Sequence, residues 1–157
     1  MACDFDGVFT DATVYTDQNG IESVRCSRRD SLGVNMLKHA SIGVIVISKE
    51  TNPIVAVRCL KMGIPCYQGV DDGEAKLDVL LRATAIAGVS LLETAYIGDD
   101  VNDLEPLKAV GFAATVADGH ACVMSIAHYV TKSKGGDHAV RELAEFILRA
   151  QKRPLAY

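Results

Sequence analysis

Apolar positions in this chain follow two rhythms, and the change of rhythm marks its elements. Gly43-Val44-Ile45-Val46-Ile47-Ser48 is a β-branched run with no polar alternation, the pattern of a strand covered on both faces. Asn52 and Pro53 then read as a cap and first helical residue, 54–62 as the helix, and Gly63 as its stop. The unit recurs: 65–68 reads as a short strand, 74–87 as a helix ended by Gly88, 94–98 as a strand, 104–110 as a helix stopped by Gly111, and 112–116 as a strand. A last helix over 139–149 follows the start signal Gly135-Gly136-Asp137 and keeps Val140, Leu143, Ala144, Ile147 and Leu148 at helical spacing. This alternation predicts an α/β fold of three layers, Rossmann-like, with a mostly parallel sheet between helices.

One segment departs from that rhythm. Residues 13–16 and 21–26 alternate β-formers with polar residues around Asp17-Gln18-Asn19-Gly20, which predicts a hairpin over about 12–26. It stands where a crossover helix would otherwise begin. A hairpin so placed is either an oligomer contact or a plain surface feature. With no repeat, low-complexity stretch or linker, a single domain over 1–157 is expected.

Composition narrows the partners. A 49% hydrophobic and 23% charged chain can bury one core. A net charge of -4 and a pI near 5.5 leave no basic footprint for nucleic acid or an anionic membrane. No apolar run approaches the ~20 residues needed to span a bilayer. The five cysteines (Cys3, Cys26, Cys59, Cys66, Cys122) show no zinc-site spacing and are expected as reduced thiols. A cytoplasmic enzyme is the resulting expectation.

The candidate chemistry starts at Cys3-Asp4-Phe5-Asp6-Gly7. Two carboxylates two residues apart in an extended chain point to the same side, so both can address one reacting centre. By itself this segment also reads as a solvated acidic turn. A calcium loop of the EF-hand type is excluded, because the twelfth position from Asp4 is Tyr15 and not a bidentate glutamate. A second acidic cluster, Gly98-Asp99-Asp100-Val101-Asn102-Asp103, follows another apolar strand. Asp99 at the strand end suits a metal, while Asp103 also suits a helix N-terminus. Ser48 and Lys76 supply the hydroxyl and ammonium that an acidic site needs to hold a phosphoryl group.

The ordered set Asp4-x-Asp6, Ser48, Lys76 and Gly98-Asp99-Asp100-x-x-Asp103 resembles the four motifs of the haloacid dehalogenase superfamily, over essentially the whole chain. The hairpin, Arg29-Asp30-Ser31-Leu32-Gly33, Gln68-Gly69, 127–131, Gly135-Gly136 and 139–142 resemble one branch of it. That branch holds 3-deoxy-D-manno-octulosonate 8-phosphate phosphatases, nonulosonate (sialic acid type) 9-phosphate phosphatases, and the phosphatase-like domain of some CMP-sialic acid synthetases. The resemblance implies a phosphatase without a separate cap domain, assembled as a homotetramer through the hairpin. It implies that Asp4 attacks phosphorus and that Asp6 is general acid and base. Mg2+ is then held by Asp4, Asp99 and the backbone carbonyl of Asp6; Ser48 and Lys76 hold phosphoryl oxygens, and Asp100 and Asp103 support the metal site.

Two departures from the family pattern matter. Only Met1, Ala2 and Cys3 precede Asp4, so a short first strand is expected, as in a trimmed form or a part of something larger. Gly73 stands where the branch usually has its lysine, and Lys76 follows three residues later, which reads as an insertion ahead of the helix. Ser48-Lys49-Glu50 replaces the Thr-Gly-Arg typical of octulosonate enzymes. With Lys61 one helix face on, it resembles the nonulosonate 9-phosphate pattern, although a surface Glu50–Lys61 pair explains the same residues. Arg28 and Arg29 are candidates for the sugar carboxylate, here or in a neighbouring subunit. A sugar acid phosphate is therefore the expected substrate, nonulosonate first and octulosonate second. An oligomerisation module keeping relic motifs is the rival of another class. A signalling receiver domain is disfavoured, since no lone aspartate ends the strand at Ser48.

Overall fold

The computed structural model describes residues 1–156. Six parallel strands form one sheet in the order β5 (Cys66–Tyr67), β4 (Ile45–Ile47), β1 (Ala2–Cys3), β6 (Ala95–Ile97), β7 (Phe112–Thr115) and β8 (Tyr129–Val130). Successive side chains of a strand point to opposite faces, and here both faces are dry. Cys3, Val46, Ile97 and Ala114 enter one core with α1 (Arg28–His39), α2 (Ile54–Met62) and α6 (Ala139–Ala150). Their neighbours Ala2, Ile47, Tyr96 and Ala113 enter a second core against α3 (Gly73–Ala87), α4 (Leu104–Ala109) and α5 (Ala121–Met124). Two cores on one sheet make the three layers, and explain why these strands show no polar alternation.

The helices end as their glycines direct: Gly63 and Gly88 take left-handed conformations after α2 and α3. The chain runs outward from β1 to β4 and β5, then returns to β6 on the other side of β1. The strand order thus reverses beside β1, where open α/β sheets place their ligands at the carboxyl ends of the strands.

The hairpin forms a separate two-stranded sheet of β2 (Thr10–Thr16) and β3 (Glu22–Cys26). Its register shifts between Thr10 and Val14, where Ala12 has a φ of 57°. Asp17 accepts the backbone N–H groups of Asn19 and Ile21 and closes the turn. The hairpin leaves Val14, Tyr15 and Ile21 exposed. Helix α1, which follows directly, has no counterpart in the pattern of apolar positions.

Candidate active site

Strands β1, β4 and β6 deliver their next residues to one cleft. Asp4 follows β1, and its amide donates to the Ile97 carbonyl, so the β1–β6 ladder extends one residue into the site. Its Oδ1 accepts the Phe5 amide at 2.7 Å. The chain then turns sharply: the amides of Val8, Phe9 and Thr10 all point to the Phe5 carbonyl. Gly7 sits in this turn with a φ of 77°, and a Cβ there would lie 1.9 Å from Asp99 Oδ2. Only glycine lets the first acidic loop approach the second this closely. Thr10, fully buried, donates its hydroxyl to Asp6 Oδ1 at 3.1 Å and accepts the Gly7 and Ala12 amides. Burial pushes the Asp6 carboxyl up, against the Thr10 hydrogen bond that pulls it down.

Beneath the cleft lies a buried charged network. Lys76, on the first turns of α3, has no exposed surface and reaches Asp4 Oδ2 at 2.9 Å and Asp103 Oδ1 at 2.8 Å. Asp103 Oδ1 also accepts the Tyr96 hydroxyl at 2.8 Å, and its Oδ2 accepts the Asp99 amide at 3.0 Å. Burial pulls the Lys76 ammonium down, but Asp4 and Asp103 together raise it above its ordinary value, so it stays charged. Asp4 is pushed well up, by burial first and by Asp103 second.

Carboxylate oxygens of Asp4, Asp99 and Asp103 lie within 4.8 Å of one another. Burial, with Asp103 and Asp100 nearby, pushes the Asp99 carboxyl up to about 7. An all-oxygen donor set that repels itself in this way fits a hard divalent cation, which would relieve the repulsion. Among the described residues, no other side chain or amide donates to the Asp99 carboxylate, whereas both Asp103 oxygens are already engaged. Asp99 is therefore the carboxylate freest to face a cation; both Asp4 oxygens have partners, the Phe5 amide and the Lys76 ammonium, and Asp103 holds the group from behind.

The cleft above these groups has a volume of about 200 Å³ and is lined by Asp4, Asp6, Ala12, Ser48, Lys49, Glu50, Asp99, Asp100 and Asn102. Ser48, buried at the end of β4, accepts the Glu50 amide with its hydroxyl oxygen. Glu50 Oε1 accepts the Thr51 and Asn52 amides ahead of α2 and makes no pair with Lys61. Lys49 pairs with Asp71 at 3.2 Å on the exposed rim. Asp100 caps the 3-10 turn over 101–103 through the Val101 amide.

The comparisons with known proteins agree with this arrangement. A family of haloacid dehalogenase-like hydrolases matches residues 47–143. The 3-deoxy-D-manno-octulosonate 8-phosphate phosphatase of Yersinia pestis is 36% identical over 154 residues, 98% of this chain and 81% of that protein. The chain is a haloacid dehalogenase-like hydrolase. Among solved structures, the octulosonate 8-phosphate phosphatase of Moraxella catarrhalis, crystallised with magnesium, phosphate and the octulosonate sugar, superposes with a TM-score of 0.91. It is 35% identical, across 96% of this chain and 86% of that one. The cobalt-bound Haemophilus influenzae phosphatase gives a TM-score of 0.88 at 37% identity, across 96% and 87%. This hydrolase is thus a phosphatase, and a magnesium-dependent one by its relatives and its acidic cluster.

Within the hydrolase, the sequence-derived candidates divide. The structure brings Asp4, Asp6, Ser48, Lys49, Glu50, Asp99 and Asp100 to the cleft, with Lys76 and Asp103 beneath it. It leaves Lys61 and Arg28 exposed and outside the cleft lining. Lys61 lies in the last turn of α2, whose first turn is the one near the site; at ~1.5 Å per residue the helix carries it about 10 Å away. Sequence reasoning missed Thr10 and Tyr96, which are buried partners of Asp6 and Asp103. Thr10 had a signal, its place four residues after Asp6 in a glycine turn; Tyr96 read as one more apolar strand residue.

Proposed function

We propose that the chain hydrolyses the phosphomonoester of a sugar acid through a phosphoryl group carried transiently on Asp4. The observation supporting this is the ion pair of Asp4 with a fully buried Lys76, opposite the unpaired Asp99, at the switch point of the sheet. Asp4 presents a carboxylate to phosphorus. Asp6, raised by burial, protonates the departing alkoxide and then takes the proton of the water that attacks the aspartyl phosphate. Lys76 and Ser48 neutralise and orient phosphoryl oxygens. Asp4, Asp99 and the Asp6 carbonyl would hold Mg2+, which would supply the positive charge that an anionic nucleophile needs to meet an anionic ester.

For the substrate, the relatives support 3-deoxy-D-manno-octulosonate 8-phosphate. Ser48-Lys49-Glu50 at the rim keeps a nonulosonate 9-phosphate as the second reading. Without Lys61 in the lining, that reading rests on Lys49 and Glu50. The exposed Val14, Tyr15 and Ile21 support assembly through the hairpin as a tetramer, to which Arg28 would contribute from a neighbouring subunit. The test is magnesium-dependent phosphate release from both sugar phosphates by wild type and Asp4→Asn. Release by wild type alone is expected, with the octulosonate ester preferred; equal, negligible rates for the two proteins overturn the proposal.

A further inference from the structure

Among the described residues, Asp30 is the one buried carboxylate outside the cleft network, and the mechanism above does not use it. It has no exposed surface, although it lies in the first turn of α1. Its Oδ1 accepts the Arg141 amide at 2.9 Å, 111 residues away. That amide belongs to the first turn of α6. This helix lacks a cap of its own, because its N-cap residue, His138, is left-handed with a φ of 64° and contributes no side-chain hydrogen bond. A carboxylate here satisfies an orphan N–H and faces the positive end of the helix. Contact at this corner is close enough that a Cβ on Gly33 would lie 2.7 Å from Arg141 Cα.

The turn leading into α6 rests on the acidic loop of the active site. The Gly136 amide donates to the Val8 carbonyl at 3.1 Å. A Cβ on Gly135 would lie 2.0 Å from the Gly7 carbonyl oxygen, and one on Gly136 would lie 2.6 Å from the Asp11 nitrogen. Underneath this turn are Gly7 and Thr10: the Gly7 amide donates to the Thr10 hydroxyl, which in turn donates to Asp6. A continuous path of hydrogen bonds and backbone contacts therefore joins Asp30, the start of α6, the Gly135-Gly136 turn and the Asp6 loop.

We infer that Asp30 is a positioning residue for the proton-transfer step: by capping α6 from α1, it presses the Gly135-Gly136 turn onto the loop that carries Asp6. This rests on the reading of Asp6 as general acid. The position is kept at a cost, since burial pushes the Asp30 carboxyl up to about 6, with the Arg141 amide, His138 and Arg58 pulling the other way. Cys3 and Cys26 are the other titratable groups near it. Asp30 Oδ2 has no hydrogen-bond partner among the described residues, so the capping oxygen accounts for its polar contacts.

The experiment compares Asp30→Asn, which keeps an acceptor at the cap, with Asp30→Ala, which removes it. The substrates are octulosonate 8-phosphate, an alkyl ester that needs an acid to leave, and p-nitrophenyl phosphate, an aryl ester that does not. Asp6→Asn serves as the control. In Asp30→Ala, the single-turnover rate of alcohol release should fall about tenfold or more on the alkyl ester and less on the aryl ester, because only this first step, and not the shared hydrolysis of the aspartyl phosphate, separates the two leaving groups. Asparagine caps helices about as well as aspartate, so Asp30→Asn should stay within about twofold of wild type on both. Equal losses on the two esters, an Asp30→Asn as impaired as Asp30→Ala, or an unimpaired Asp30→Ala overturns the inference. Should Asp30→Ala not fold, Asp30→Leu replaces it; if neither folds, the role is structural and the inference fails. If Asp6→Asn itself shows no difference between the esters, the general-acid reading of Asp6 falls instead.

Discussion

Replacing Lys76 by methionine removes a charge and leaves most of the bulk of the stem. The ammonium lies 2.9 Å from Asp4 and 2.8 Å from Asp103, with side-chain exposures of 0%, 6% and 0% for Lys76, Asp4 and Asp103. Its loss leaves two buried carboxylates facing each other without a counter-charge. Removing one partner of such a buried pair costs about 3–5 kcal/mol. At ~2–4 °C per kcal/mol for a chain of this size, the Tm in a chelator should fall by about 10 °C. Magnesium should restore part of that loss, because an ion that binds only the folded chain stabilises it by mass action, and a site one positive charge poorer gains more from it. Thermal unfolding of wild type and Lys76→Met, each in chelator and in saturating Mg2+, measures all four states. The reasoning is refuted by an unchanged Tm in chelator, or by a gap that is the same with and without the ion.

Two further outcomes follow from buried groups. The Asp30 carboxyl is raised in the folded chain to about 6, from an ordinary value of 3.8. The folded state therefore holds its proton more tightly, and this group's contribution to stability falls as pH rises from about 4 to 6, by about 3 kcal/mol in total. Asp30→Asn removes that dependence, so urea titrations should show the variant gaining on wild type between pH 4.5 and 7, and a constant difference contradicts this. Tyr96→Phe deletes a hydroxyl donated to the buried Asp103 at 2.8 Å, a bond to a charged acceptor worth about 1.5–3 kcal/mol. A Tm equal to wild type would show that Asp103 does not depend on it.

Much of the architecture was legible because the buried strands carry unbroken β-branched or small apolar residues and the helices end at glycine. Helix α1 was not. Its buried face is Asp30, Gly33, Val34, Met36 and Leu37, and an aspartate and a glycine break the apolar spacing that would have disclosed it. The short strand β8, two residues long, carries too few side chains to show a period. In the site, Asp4, Asp6, Ser48 and Asp99 were legible because each follows a strand that the sheet aims at one cleft. Lys76 was harder to place, standing three residues beyond the expected position. The structure brings it onto Asp4, with Gly73, Glu74 and Ala75 taken up in the first turn of α3. Lys61 and Arg28 lie on helices whose direction the one-dimensional pattern does not give. Thr10, Tyr96 and Asp30 act through contacts with residues four to 111 positions away, and only the fold brings the farthest of these together.

The division of labour between Asp4 and Asp6 is tested most directly by trapping the phosphoryl group. Asp6→Asn, given p-nitrophenyl phosphate and Mg2+, can still form the ester on Asp4, since that leaving group needs no acid, but loses the base that hydrolyses it. After acid quench and proteolysis, mass spectrometry should find one phosphoryl group on the peptide containing Asp4, absent when Asp4 is also replaced by Asn. Phosphate released with no labelled peptide, or a label on any other residue, would contradict the account.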